Sequence, residues 1–182
     1  MFAGEYDGKR LHAPNDLVYA IDGSIYFTDL PRRDAAPDPA RTGFAAVYQI
    51  TPKGVLRLAT RELTRPNGVA LGPKQLTLYV ADSAANNVRV FEISGDGSIA
   101  KGRVFAECER PDGLKTDEAG NVYVAGPGGI SVFSTSGRLS EIIEVPEPPS
   151  NCNWGAGFRG LYITARTSVY FVPGIGPGTR TY

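Results

Sequence analysis

Residues 66–82 read PNGVALGPKQLTLYVAD and residues 111–126 read PDGLKTDEAGNVYVAG. Each opens on Pro, a polar residue and Gly, continues as a short apolar run, and turns. A second run centred on a Tyr then alternates apolar with other residues, the period of a strand rather than of a helix. Two further segments fit the frame, PNDLVYAIDGSIYFTD from Pro14 and SNCNWGAGFRGLYITA from Ser150. With Asn15, Asn67, Asp112 and Asn151 as leaders, the strand Tyr follows eleven or twelve residues later. The leaders recur at intervals of 52, 45 and 39 residues.

Outward from each pair, two more strands follow. Val88–Ile93 and Ile99–Phe105 flank Asp96-Gly97, and Ile130–Phe133 and Leu139–Val145 flank Ser136-Gly137. Turn pairs of this kind between alternating runs mark hairpins. Four short strands per unit, repeated, predict an all-β fold, a β-propeller with about four blades present, starting near 14, 66, 111 and 150. The domain spans 1–172. A Gly/Pro-rich tail over 173–182 is expected to end pairing and fray. The last unit is incomplete and four wedges are few for a ring, so one or two blades, on the order of 50 to 100 residues, are expected upstream. Phe2-Ala3-Gly4 reads as a stub of the preceding blade.

The chain carries 19 basic and 19 acidic residues with no basic cluster, which argues against nucleic acid or an anionic membrane as partner. No apolar stretch reaches the roughly 20 residues of a membrane helix, and the start lacks a signal-peptide pattern. A cytoplasmic chain is the default expectation, with periplasmic or secreted forms open; oligomeric state is not legible. Cys108 and Cys152 are expected as free buried thiols.

The first strand of every propeller blade lines the central channel, so the residues opening those strands share one end of it. Asn15, Asn67, Asn151 and Asp112 offer oxygen donors suited to calcium, or to magnesium or manganese with waters retained. The same residues also cap turns, and periodicity alone does not separate cap from ligand.

The wording of GKRLHAPNDLVYAIDGSIYFTDL, LTRPNGVALGPKQLTLYVADS and PDGLKTDEAGNVYVAGPGGISVFSTSGRL resembles the SMP-30/gluconolactonase/regucalcin-like family of six-bladed propellers, in particular its bacterial gluconolactonase-like branch. The resemblance implies metal-dependent hydrolysis of a small-molecule sugar lactone. The metal would be calcium foremost, with magnesium, manganese or zinc as alternatives. It implies ligands Asn67 and Asp112, with Asn15 contacting metal or substrate and Asp112 as catalytic base; a metal-bound hydroxide is the alternative nucleophile. The family's further Glu ligand lies on a first blade without counterpart here, Glu5 standing too late to replace it. Ala13 stands where animal members have an Arg. A non-catalytic binding scaffold, or an esterase or phosphotriesterase of the same fold, are the alternative readings.

Asp16 reads as a substrate contact or a cap, Asn151 as a turn residue, and Asp29 and Asp82 as structural. His12 reads as a solvated loop residue with a base as the sharper option, and Trp154 as core. The insertion Pro31–Thr42 reads as a lid or a surface loop, with Arg32, Arg33 and Arg41 placed to meet an anionic group.

Overall fold

The computed structural model describes residues 3–32 and 36–180. Four antiparallel sheets follow one another in chain order, and within each the strands pair strictly with their sequence neighbours. The first blade contains β3 (Pro14–Tyr19), β4 (Ile25–Asp29), β5 (Ala46–Ile50) and β6 (Leu56–Thr60). The second contains β7 (Pro66–Leu71), β8 (Thr77–Asp82), β9 (Asn87–Glu92) and β10 (Arg103–Glu107). The third contains β11 (Leu114–Thr116), β12 (Val122–Gly126), β13 (Gly129–Phe133) and β14 (Leu139–Ile143). The last has three strands, β15 (Pro149–Trp154), β16 (Leu161–Ala165) and β17 (Ser168–Val172). This is the four-blade propeller arrangement expected from the repeat. Among the described residues no helix is long and apolar enough to cross a membrane.

The period-2 pattern explains the packing. In β8, Leu78 and Val80 join Val18, Tyr26, Val69 and Phe91 between the first two blades. Tyr79 and Ala81, pointing the other way, join Phe105, Leu114, Val122 and Val124 between the second and third. Tyr123, Ile130 and Val132 of the third blade meet Cys152, Leu161 and Ile163 of the last. Each middle sheet is therefore covered on both faces, which is why its central strands read as nearly continuous apolar runs. Cys108 and Cys152 are free and buried.

At the axis the blades touch backbone to backbone. Gly68 N–H donates to Asp112 C=O at 3.1 Å, and Gly113 N–H donates to Ser150 C=O at 2.9 Å. A Cβ on Gly68 would lie 2.3 Å from Asp112 O, and one on Gly113 would lie 2.2 Å from the Asn151 side chain. The Gly of PNG and PDG is thus a steric requirement of the channel wall.

Three details differ from the sequence reading. Residues 5–10, to which the sequence reading assigned no strand, form a hairpin of β1 (Glu5–Tyr6) and β2 (Lys9–Arg10), with the Tyr6 ring on Tyr48 of the first blade; Phe2 lies outside the described residues. The strand placed at Ile99–Phe105 is reduced to a bridge between Ile93 and Ile99, and β10 starts only at Arg103. The described part of the tail, residues 173–180, is anchored rather than frayed. Gly178 bridges Asp117, and Thr179, 8% exposed, takes a hydrogen bond path into the third blade through Thr116 O (2.9 Å) and Asp117 O (2.8 Å). Strand ends under the channel need partners for their polar groups, and the tail supplies them.

Gly68→Ala is expected to lower folding stability by about 3 kcal/mol, because the clash is with backbone and no side chain can yield. Urea denaturation followed by fluorescence measures it.

Candidate functional site

The leaders owe their aim to a common irregularity. Pro14 pairs with Asp29 and Leu17 with Phe27, and Pro66 pairs with Asp82 and Val69 with Val80. Each inner strand therefore carries one extra residue just after its Pro, a bulge that re-aims the side chain there. In the last blade Pro149 pairs with Ala165 and Cys152 with Ile163. The residue equivalent to Asn15, Asn67 and Asp112 is consequently Ser150, and Asn151 is the equivalent of Asp16. The hydrogen bonds agree: Asn151 Oδ1 accepts the N–H of Cys152 at 2.8 Å, just as Asp16 Oδ1 accepts that of Leu17 at 2.9 Å. Asn151 sits at the bulge within β15, where its side chain folds back on the next backbone N–H. The Pro before each leader was the signal that would have aligned Ser150; the shared Asn drew the alignment one residue too far.

Buried side chains hold the leader segments. Asp29 is fully buried, and its carboxylate accepts the N–H groups of His12 (2.9 Å) and Ala13 (2.7 Å). Asp82 does the same for Thr64 (2.7 Å) and Arg65 (2.9 Å). The Thr28 hydroxyl donates to Asn67 C=O at 2.7 Å, and the Ser83 hydroxyl donates to Pro111 C=O at 2.6 Å. Each blade thereby fixes the leader segment of the next.

Asn67 and Asp112 share a polar cleft of about 500 Å³ with Ser83 and Ser150. The Asn67 amide donates through Nδ2 to Ser83 Oγ at 3.1 Å and also hydrogen-bonds the Asp112 carboxylate. Burial pushes the Asp112 carboxyl above its usual range; the Asn67 hydrogen bond opposes this and the charge of Asp16 adds to it. Asn67 Oδ1 is buried with no hydrogen-bond partner. A desolvated carboxylate beside an orphaned amide oxygen is an electron-rich pair with no counter-charge between them, and a hard cation is the partner such donors fit. Among the described residues no three His, Cys, Asp or Glu side chains converge. A cation here would thus rely on amide and hydroxyl oxygens beside a single carboxylate.

Asn15 is exposed and lines a different cleft, of about 380 Å³, on the flank of the first blade turned away from the second. Asp16 also lines that cleft, but its carboxylate is engaged by backbone, Oδ1 with Leu17 N–H and Oδ2 with the N–H of Val69 in the second blade at 3.1 Å. His12 Nε2 accepts Gly43 N–H at 3.1 Å. Arg41 donates to the carbonyls of Leu11 and His12 and pairs with Asp38. His12, Arg32 and Arg41 line their own cleft with Lys9 and Asp38, apart from Asn67 and Asp112, and Arg33 lies outside the described residues. Trp154 packs edge-on against Tyr123 and donates Nε1–H to Thr116 C=O at 2.9 Å, a core role. The arginines that do line the Asn67–Asp112 cleft are Arg65, Arg110 and Arg166, which the sequence reading passed over.

The model of the SMP-30/Gluconolactonase/LRE-like region matches residues 1–167. The chain belongs to this family. It is 32% identical to a gluconolactonase of Zymomonas mobilis over 90% of this chain and 51% of that protein. It is 29% identical to the lactonase drp35 of Staphylococcus aureus over 72% of this chain and 42% of that protein. A gluconolactonase structure from Xanthomonas campestris superposes with a TM-score of 0.86 at 33% identity, covering 94% of this chain and 60% of the other. A calcium-binding regucalcin of Agrobacterium tumefaciens shares the fold, with a TM-score of 0.73 at 21% identity over 85% of this chain and 54% of that one. The family member described here spans about half the length of the curated relatives it matches.

The raised Asp112 carboxyl has a consequence for the metal-free protein. A folded-state value above the unfolded one means stability present at low pH and lost as pH rises through the folded value. Asp112→Asn is therefore expected to raise the melting temperature of chelator-treated protein at pH 7. The gain should vanish below the carboxylate range, where wild type is protonated as well. Thermal melts of both proteins from pH 3 to 8 check this.

Proposed function

We propose that the Asn67–Asp112 cleft is the site of metal-dependent hydrolysis of a sugar lactone. The observation that carries this reading is the orphaned Asn67 Oδ1 beside the desolvated Asp112 carboxylate, at the channel mouth of a chain whose relatives are named gluconolactonases and lactonases. Asn67 Oδ1 and Asp112 would hold the cation, and Asn15, which lines a separate cleft, is left a substrate contact from the first blade. A bound divalent ion, calcium foremost, with magnesium, manganese or zinc as alternatives, would polarise the lactone carbonyl and stabilise the charge that develops on its oxygen.

The chain's own groups supply the rest. Asp112 is the acceptor for the proton of the attacking water, and its position next to Asn67 fixes which carboxylate face is open to that water. The hydrogen bond from Asn67 holds the carboxylate in one orientation, and Ser83 holds Asn67 in turn, so the acceptor does not have to be ordered during the reaction. Ser83 and Ser150 offer hydroxyls to the substrate's own. A second carboxylate would tighten cation binding.

Asp112→Asn is expected to lower lactone turnover by at least about 100-fold, the scale of a lost general base, while circular dichroism and urea unfolding report an intact fold. Unchanged turnover would sink the reading. Calcium at about 100 times its dissociation constant should stabilise the protein by about 2.7 kcal/mol, seen as a rise in melting temperature that Asn67→Ala abolishes. A melting temperature indifferent to calcium, magnesium and manganese points instead to a non-catalytic binding scaffold.

A further inference from the structure

The chain is electrically balanced, with 19 basic and 19 acidic residues, yet three arginines line the cleft that holds Asp112. Arg65 and Arg110 occupy equivalent places in the repeat, each directly before the Pro that precedes a leader. Arg166 enters from the last blade, in the hairpin between β16 and β17. The positions are selective. The equivalent pre-Pro residue is Ala13 in the first blade and Pro148 in the last.

Two of the three also stand where an arginine is not the easy choice. Arg110 has φ 40° and Arg166 φ 26°, a left-handed backbone that residues with a Cβ adopt at a cost and that glycine or asparagine usually occupies. Strain retained at a cleft points to a use for the side chain. The Arg110 backbone is pinned, its N–H donating to Asn86 Oδ1 at 2.8 Å. The Arg65 guanidinium donates to Pro31 C=O at 3.2 Å and is held at the rim.

The acids beside Arg110 and Arg166 engage them weakly. Glu109 lies 3.7 Å from Arg110, both largely exposed, a pair of little strength. Glu147 near Arg166 spends its oxygens on Thr167, at 2.6 Å and 3.2 Å. Asp112 is the one carboxylate lining the cleft itself. Guanidinium groups match carboxylate and phosphate oxygens in pairs, which a neutral sugar hydroxyl does not require.

Resting on the lactonase reading, we propose that the preferred substrate is a lactone carrying a second anionic group, a carboxylate or a phosphate, which Arg110 and Arg166 bind at the rim while Asp112 faces the ring carbonyl. Arg65 flanks the same rim. The cleft volume of about 500 Å³ is that of a small-molecule site.

The test compares kcat/KM for lactones of one ring size bearing a neutral, a carboxylate or a phosphate arm. The charged substrates should lead by about tenfold at low ionic strength, with the lead shrinking as salt screens the rim. The order of the two charged arms identifies the anion. In the Arg110→Gln/Arg166→Gln double variant the lead should disappear, chiefly through KM. Arg138→Gln, in the exposed turn between β13 and β14, should keep it. Equal kcat/KM for neutral and charged lactones in wild type, or a lead that survives the double substitution, would overturn the proposal. Inorganic phosphate titrated by calorimetry gives a readout free of turnover. Binding that depends on the two arginines, with no lactone hydrolysed, would sink the lactonase reading and support the anion subsite. No phosphate binding in wild type, or equal binding in the double variant, would remove the subsite.

Discussion

Around the channel, neighbouring blades meet main chain to main chain, Gly68 N–H on Asp112 C=O and Gly113 N–H on Ser150 C=O. No atoms can be inserted there, since even a Cβ would overlap its neighbour. Beyond that line of contact the space between sheets is filled by buried apolar side chains. Alternation along β8 and β12 then feeds two interfaces at once, so each blade is stabilised by its neighbours more than by itself.

The candidate site sits on this rigid wall and works against it energetically. A carboxylate is half withdrawn from water, an amide oxygen lacks a donor, and another carboxylate, that of Asp16, raises the cost of charging Asp112. Folding alone gains nothing from that arrangement, and such conflicts concentrate where a protein binds something. The polar clamps around it, from Asp29, Asp82, Thr28 and Ser83, are by contrast fully partnered. The conflict at Asn67 and Asp112 thus falls on groups that would face a ligand, and the clamps that present them are satisfied.

Much of the fold was legible because it is written in local, repeated chemistry: strand period, turn pairs, and Pro-led polar residues. The same repeat marked Asn67 and Asp112 as strand leaders, while the roles proposed for them came from the family resemblance. Ser150 was missed because leader identity varies from blade to blade while backbone register does not, and register is visible only once Pro149 is seen paired with Ala165. The hairpin at 5–10 and the anchored tail depend on contacts with distant residues, Tyr48 in one case and Thr116 in the other, which no local pattern encodes. The arginine rim escaped for a geometric reason. Arg110 and Arg166 come from different blades and line one cleft only in the folded chain, whereas Arg41 of the 31–42 insertion, conspicuous in the sequence, turns back on Leu11, His12 and Asp38.

At one geometric position in four blades the chain places Asn15, Asn67, Asp112 and Ser150, and the bulge that displays them is set by the preceding Pro and by clamps elsewhere. Display and identity are therefore separate properties. Exchanging one displayed side chain for another alters what the mouth attracts while leaving the interblade seams untouched, so the mouth can diverge between descendants of one ancestor at little cost to folding. Variation at these four positions, set against constancy of the Gly and Pro beside them, is the pattern that such freedom leaves behind.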